Sequence, residues 1–350
     1  MSPLLGDGDR IPPVRICISD AGPLTPHNDA GSRATSDLIQ TLHSLGHHVS
    51  FIPVSEVEDL RDFDLFIASR PGPAVHAIAL PGFDEIPTVF FGHDLHFQRM
   101  VSVVGRNKAE AFRRLEMMCW RSYDVTVYPS SEEADYVNHT LGELRAVQAP
   151  IFVMGDAELG SAEKSPEPTC VFVGSASHEP NEAAIEVLVG KIWPSVRECS
   201  TARLHLVGGW TIPVRVQQEL SISIHTSLSE RELNDIVSRS WLSLAPLPFG
   251  AGVKRKVIHA LHCGTPVVGT RFAFQGLDQT DGGGVWGGVQ AEDAASAVAC
   301  ILELLADPEE RAAKSREGQA WVQSRYSAGS LRNRWSEIVE QAQRGYQFGS

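Results

Sequence analysis

The sequence predicts an α/β chain of two doubly wound parallel-sheet domains joined by a linker. Three observations carry this reading. Short β-branched runs alternate with helical stretches along nearly the whole chain, which argues for parallel sheets covered on both faces. The alternation breaks once, from Asp156 to Pro168, where Gly160, Ser161, Ser165, Pro166 and Pro168 sit among charges, the composition of a linker. The length, 350 residues, suffices for two ordinary domains of roughly 100–200 residues each. The expected boundaries are a disordered tail over 1–13, a first domain over 14–155, the linker over 156–168, a second domain over 169–329, and a final helix and tail over 330–350.

Val14 to Ser19 reads as the first strand. A turn-rich loop follows, with Gly22, Pro23, Pro26, Asn28, Asp29 and Gly31. Ala34, Leu38, Leu42 and Leu45 then recur on one helical face. Gly46 stands where a helix ends in the left-handed region, and Val49 to Val54 is the next strand. Strand, loop, helix, glycine, strand is the unit from which doubly wound sheets are built. Asp64 to Ala68, Thr88 to Phe91 and Asp124 to Tyr128 read as further strands, with a helix from Lys108 to Trp120. In the second half, strands are expected at Cys170–Val173, Leu204–Val207, Trp241–Ala245 and Pro266–Gly269. Asn181 is the expected N-cap of a helix through Leu188. Helices are also expected over Ala294–Leu305 and Ser330–Gln343, the last returning to the first domain.

Hydrophobic residues make up 43% and charged residues 21%, which excludes wholesale disorder, collagen and coiled coil. The net charge of −13 leaves no whole-protein field for nucleic acid or an anionic membrane; only a local basic patch escapes that exclusion. The best apolar window, Ala294 to Ala306, falls short of the ~20 residues a bilayer core requires. Met1 to Pro13 carries Asp7 and Asp9 and no apolar run, so it is expected to be a tail rather than a secretory leader. Cys17, Cys119, Cys170, Cys199, Cys263 and Cys300 show no metal-ligand spacing. They are expected to be buried thiols in a reducing, cytoplasmic setting, with peripheral attachment to a membrane left open.

Open α/β sheets bind ligands beyond the C-terminal ends of their strands, and four clusters lie there. In the first, Pro246 to Lys256, Gly250 and Gly252 precede Lys254, Arg255 and Lys256. The apolar positions Val257, Ile258 and Leu261 place a helix start near Gly252. Cations in a first turn oppose the helix dipole by about 0.3–1 kcal/mol each when exposed. A bound anion reverses the sign, taking amides from Gly252 and Val253 and charge from the lysines. The alternative is three solvated cations at a frayed end. The second cluster, Phe172 to Ser175 with His178 and Asn181, is either a ligand approach along Gly174 or an ordinary turn; Gly208-Gly209 is similar and weaker. The third is Phe91 to Arg99. His93 is read as positioning a substrate hydroxyl, with structural capping as the alternative. His93 and His96 as a metal pair lack further ligands. The fourth, Asn28 to Arg33, offers amides at Gly31 and Ser32 to an anion or sugar hydroxyl, or simply caps a helix through Asp29 or Ser32. Asp62 and Asp64 have diphosphate–metal spacing but precede their strand, the wrong edge for a ligand, and read as a solvated turn.

These stretches, in this order, resemble the GT-B-fold retaining glycosyltransferases of family 4. The matching segments are Asn28 to Arg33 with Gly46-His47, Gly92 to His96, Glu116 with Trp120 to Asp124, Phe172 to Ser175 with Pro180-Asn181, and Phe249 to Lys256 through Gly264 to Val268. The Phe249 to Lys256 loop is the most specific. The resemblance implies two Rossmann-like domains facing a cleft and a C-terminal helix crossing back to the first domain. It also implies glycan biosynthesis from a UDP-, GDP- or dTDP-linked sugar, with no metal and no cofactor beyond that nucleotide-sugar co-substrate. The acceptor is a glycan, lipid-linked, protein or small-molecule hydroxyl. Carried over, His93 and Asp94 are catalytic. Gly174, Ser175, Gly208, Gly252, Val253, Lys254, Lys256 and His259 bind the donor. Asp29, Gly31, Ser32, Arg33, His96 and Arg99 lie on the acceptor side. His259 stands where the family has a ribose-binding glutamate, and Ala251 where its partner glutamate lies. A neutral imidazole accepts one hydrogen bond, not a bidentate pair. That departure leaves three readings: weaker ribose binding, a deoxyribose donor, or a non-catalytic binding or scaffold subunit. A dinucleotide oxidoreductase is disfavoured, because no G-x-G-x-x-G follows the first strand.

Overall fold

The structure is a computed structural model describing residues 12–25, 30–155, 163–277 and 286–349. The tail over 1–11, the loop residues Asn28 and Asp29, and the 156–162 part of the expected linker lie outside the described residues. The chain divides into two compact units: Met1–Val153 with Ala328–Ser350, and Met154–Ser327.

Unit 1 runs β1 (Arg15–Ser19), α1 (Ala30–Ser44), β2 (His48–Phe51), β3 (Leu65–Ser69), α2 (Pro71–Ala77), β4 (Thr88–Phe91), α3 (His96–Val104), α4 (Arg106–Ser122), β5 (Val125–Tyr128), α5 (Ser131–Leu141) and β6 (Ala146–Gln148). All its strands pair in parallel in the order β2-β1-β3-β4-β5-β6. β3, β4 and β5 are buried along their whole length, as unbroken apolar runs covered on both faces should be, whereas the edge strand β2 alternates. Helix α1 lays Ala34, Leu38 and Leu42 into the core. It stops at Gly46, whose φ of +91° only glycine adopts readily, while the His47 N–H donates to the Leu42 carbonyl at 3.2 Å. Trp120 donates its Nε1–H to Tyr128 Oη at 2.9 Å, and Tyr123 Oη donates to the Ala74 carbonyl at 2.8 Å, so the largest buried rings keep their polar atoms satisfied.

Unit 2 runs β7 (Thr169–Val173), α6 (Glu179–Val187), α7 (Trp193–Cys199), β8 (Arg203–Val207), α8 (Val214–Glu219), β9 (Ile222–His225), α9 (Glu230–Arg239), β10 (Leu242–Ala245), α10 (Arg255–His262), β11 (Val267–Gly269), β12 (Gly288–Gln290), α11 (Ala294–Ala306) and α12 (Pro308–Tyr326). A five-residue π-helical segment, Leu188–Ile192, joins α6 to α7. The second sheet is again parallel, in the order β12-β11-β10-β7-β8-β9. The last helix, α13 (Ala328–Gly349), belongs to unit 1. There Trp335 is buried edge-on against Phe91, with ring centroids 5.5 Å apart. Within unit 2, the Met154 N–H donates to the Tyr326 carbonyl at 2.8 Å, pairing the two points where the chain enters and leaves that unit.

The architecture is the expected one, two Rossmann-like units and a returning C-terminal helix, with local corrections. The strand expected through Val54 ends at Phe51, and Val54 begins a single 3₁₀ turn after Pro53. Asn181 is not an N-cap: α6 already starts at Glu179, and Asn181 spends its side chain on Lys256 and the Ser175 carbonyl. Helix α10 starts at Arg255 rather than near Gly252, because Gly250 and Gly252 take positive φ values of 140° and 72° and Lys254 is extended. Lys164 and Ser165, expected in a free linker, are fastened to unit 2. Lys164 Nζ donates to the carbonyls of Ser240 and Gly264 and to Thr265 Oγ1, and the Ser165 N–H donates to the Arg239 carbonyl. Cys17, Cys119 and Cys170 are buried, but Cys199 is exposed. Asp64 pairs with Arg15 at 2.9 Å, just before β3 and so at the N-terminal edge of the sheet.

Gly92 follows β4 where the Tyr128 ring crosses the backbone; a Cβ there would lie 2.5 Å from that ring. Gly92→Ala should therefore cost about 1–3 kcal/mol by overpacking, read as a lower urea midpoint with an unchanged slope.

Candidate active site

Two polar clusters form beyond the C-terminal ends of strands, one in each unit. In unit 1, Asp20 follows β1, Ser69 ends β3 and His93 lies just past β4. Asp20 is 1% exposed. Its Oδ2 accepts from Ser69 Oγ at 3.0 Å and from Arg70 Nη2 and Nε at 2.9 and 3.1 Å. Arg70 reaches this position with a φ of +70°, a conformation a non-glycine residue holds only where its surroundings enforce it. Ser69 Oγ lies 3.0 Å from His93 Nε2. The serine has one proton and the Asp20 carboxylate takes it, so toward His93 the serine accepts. This assigns the Nε2–H tautomer and leaves a lone pair on Nδ1. Nδ1 faces Gly31 in the first turn of α1, where a Cβ would lie 3.0 Å away. Burial, then the charge of Arg70, lower the His93 pKa to about 4, so the ring is neutral at physiological pH.

The other expected residues of unit 1 divide. Gly31 is brought to His93 and Arg70, and Ser32 and Arg33 lie in the same turn of α1. Asp29 is outside the described residues. Asp94 turns instead to His96 Nδ1 at 2.8 Å and Arg99 Nη1 at 3.1 Å. Burial raises the Asp94 pKa, but those two partners outweigh it and the net shift is downward. For His96 burial acts downward, and Asp94 outweighs it, so the net shift is upward. Beneath them Glu116 accepts the N–H groups of His96 and Phe97 at 3.0 and 2.8 Å and the Tyr128 hydroxyl at 3.2 Å. It thereby satisfies the first amides of α3. Burial pushes its pKa up to about 7. Asp94, His96, Arg99 and Glu116 thus fix the root of α3.

In unit 2 the ends of β7 and β8 interlock. A Cβ at Gly208, whose φ is +137°, would lie 2.0 Å from the Gly174 carbonyl oxygen, and one at Gly174 would lie 2.8 Å from Asn181 and 3.0 Å from Lys256 Nζ. Lys256, in the first turn of α10, passes over the Phe172 ring, 4.8 Å from its centroid, and donates to Asn181 Oδ1. Among the described residues no carboxylate pairs with it. Burial, then the charge of Lys254, lower its pKa to about 7. Lys254 folds back onto the carbonyls of Ala251 and Gly252 at 2.9 and 2.6 Å. Gly252 and Val253 form the loop leading into the helix. Ser175 is exposed, and its carbonyl accepts from Asn181 Nδ2 at 3.0 Å. His259, on the next turn of α10, has Nε2 2.6 Å from Asn234 Oδ1. An amide oxygen only accepts, so Nε2 carries the proton there.

The cradle of Phe172, Gly174, Asn181, Gly208 and Lys256 is thus a desolvated cation beside the amides of a helix N-terminus, an arrangement that favours an anion. A separate cavity of about 530 Å³ in this unit is walled by Leu188, Ile192, Leu247, Val268 and Ile301, with Arg271 and Asp293 among its polar lining, and none of the cradle residues lines it. Among the described residues no cluster of three or more His, Cys, Asp or Glu is placed to hold a metal ion. Sequence reasoning missed Asp20, Ser69, Arg70 and Asn234. Asp20, Ser69 and Arg70 stand at strand ends, the signal that should have found them; Asn234 lies inside α9 and gave none.

Residues 167–307 match the family described as Glycosyl transferases group 1. No curated protein matches the sequence. Among solved structures, the chain is similar to sucrose-phosphate synthase from Thermosynechococcus elongatus, with 15% identity, 93% of this chain and 98% of that one covered, and a TM-score of 0.71. It is also similar to Anabaena HepE in complex with UDP and glucose, with 12% identity, coverage of 93% and 99%, and a TM-score of 0.66. The pneumococcal O-GlcNAc transferase GtfA in complex with UDP and GlcNAc matches at 12% identity, coverage of 79% and 56%, and a TM-score of 0.61. The chain therefore has the GT-B fold, and residues 167–307 of its second unit match the family described as Glycosyl transferases group 1.

Proposed function

We propose that this chain is a glycosyltransferase that moves a sugar from a nucleoside-diphosphate sugar to an acceptor hydroxyl. Lys256 carries the reading: a part-buried, desolvated ammonium with no carboxylate partner among the described residues, in the first turn of a helix entered through a glycine-rich loop. A diphosphate supplies the missing countercharge, and charge-assisted hydrogen bonds are worth about 1.5–3 kcal/mol each. The group that leaves the sugar is that same diphosphate, so Lys256, Lys254 and the amides of Gly252, Val253 and α10 stabilise charge as it develops. These groups do the work for which other transferases recruit a divalent cation, so the reaction proceeds without a metal. Gly174 and Ser175 border the donor. UDP-sugars are the favoured donors, since two of the similar structures hold UDP. Retention at the anomeric carbon rests on the sequence resemblance.

Neutral His93 offers its Nδ1 lone pair to a substrate hydroxyl, with Asp20 and Ser69 holding the tautomer. The first turn of α1, with Gly31, Ser32 and Arg33, is the acceptor-side surface. Asp94, His96 and Arg99 act indirectly, by fixing the root of α3.

A second reading has its own observation. His259 spends its Nε2–H on Asn234, which leaves at most Nδ1 as an acceptor where a carboxylate would offer two oxygens, as in a non-catalytic scaffold subunit. Slow hydrolysis of any member of a UDP-, GDP- and dTDP-sugar panel excludes that reading. Thermal stabilisation by dTDP at least equal to that by UDP supports a deoxyribose donor.

Lys256→Ala should weaken UDP binding at least tenfold by calorimetry, about 1.4 kcal/mol; unchanged affinity removes the reading. In the unmodified chain, UDP binding should take up a proton above pH 7, because the free ammonium has a pKa of about 7 and a bound diphosphate raises it. Calorimetry in buffers of different ionisation enthalpy measures that uptake.

His93 should show the Nε2–H tautomer by nitrogen NMR and take its second proton near pH 4. Its ordinary value is 6.5, so between those values the unfolded chain binds a proton the folded chain refuses. The stability His93 contributes is complete above pH 6.5 and is lost as pH falls toward 4. His93→Gln should flatten that part of the stability–pH curve in urea titrations.

A further inference from the structure

We propose that the α3–α4 hairpin of unit 1 docks on an anionic phospholipid bilayer. Among the described residues six large hydrophobic side chains are exposed, and four of them lie on this hairpin: Val101 at 38%, Phe112 at 37%, Leu115 at 40% and Met118 at 48%. Single exposed apolar residues need no explanation; a cluster does. Phe112, Leu115 and Met118 are spaced by three, so they share one arc of α4. The buried residues Ala109, Glu116, Cys119 and Trp120 occupy the adjoining arc. The apolar surface of the helix therefore extends beyond the arc that packs on its own core.

Charge identifies the occupant. The chain as a whole carries −13, yet residues 96–122 hold Arg99, Arg106, Lys108, Arg113, Arg114 and Arg121 against Glu110 and the buried Glu116. Arg99 is taken by Asp94 and Arg113 by Glu110. Arg106, Lys108, Arg114 and Arg121 are exposed and have no carboxylate partner among the described residues. Apolar side chains flanked by long cations, on a helix lying along a surface, are the pattern of an interfacial helix: the stripe enters the acyl boundary while the cations reach headgroup phosphates. The hairpin starts three residues beyond His93, so docking would bring the membrane to the root of the unit 1 cluster. The inference stands independently of the donor reading.

Co-sedimentation with vesicles tests it. The protein should pellet with vesicles of phosphatidylcholine mixed with phosphatidylglycerol, not with phosphatidylcholine alone, and added salt should release it. Arg114→Glu with Arg121→Glu, and separately Leu115→Asp with Met118→Asp, should each lower the partition coefficient at least tenfold. Circular-dichroism melting and the thermal shift with UDP should remain those of the unmodified protein; the charge-reversal pair keeps the test valid if the apolar pair misfolds. Failure to pellet with mixed vesicles at low salt overturns the proposal, as does pelleting undiminished by the charge-reversal pair. Light scattering that finds a dimer split by Leu115→Asp also overturns it, since a second copy would then cover the face.

Discussion

A parallel sheet cannot be closed by hairpins, and this constraint shapes both units. Each strand must be carried back across the sheet before the next can begin, so helices cover both faces and the central strands become unbroken apolar runs. The faces are then filled, and the only places left for polar chemistry are the strand ends. At the C-terminal ends the loops enter helices, whose first amides lack partners. Asp20, Ser69 and His93 in one unit, and Gly174, Gly208 and Lys256 in the other, stand there.

The two edges solve their electrostatics in opposite ways. In unit 1 the charges are matched: Asp20 holds Arg70, Asp94 holds His96 and Arg99, and His93 is left neutral between them. Such a cluster is preorganised and needs no ligand to complete it. In unit 2, Lys256 rests on an aromatic face and an amide oxygen, partners that stabilise a cation far less than a carboxylate does. Among the described residues that cation lacks a matched countercharge, and on this imbalance the proposed anion site rests. The hairpin of α3 and α4 repeats the theme on an outer face, where cations gather in a chain that is otherwise acidic.

The fold was legible because it is written in period and punctuation. The apolar runs of β3 and β4, the spacing of Ala34, Leu38 and Leu42, and Gly46 at the end of α1 are local signals with local causes. The glycine loop before α10 was legible for the same reason, although the helix begins later than its apolar pattern suggests because two positive-φ glycines hold the chain extended. The partners of the site residues were not legible. Lys256 meets Asn181 across 75 positions, and Arg70 meets Asp20 across 50. Only the register of the strands decides which loops become neighbours. Asp94 is the local counterpart: its partners His96 and Arg99 lie within five positions of it in the same motif.

The pairing of Met154 with Tyr326 bears on how the protein is made. Unit 2 is an insertion, begun and finished while unit 1 is still missing α13. On the ribosome the inserted unit emerges whole, whereas the surrounding one waits with Phe91 uncovered until Trp335 arrives. Synthesis order thus makes unit 2 the earlier-finished body, and leaves its host dependent on the helix that follows it.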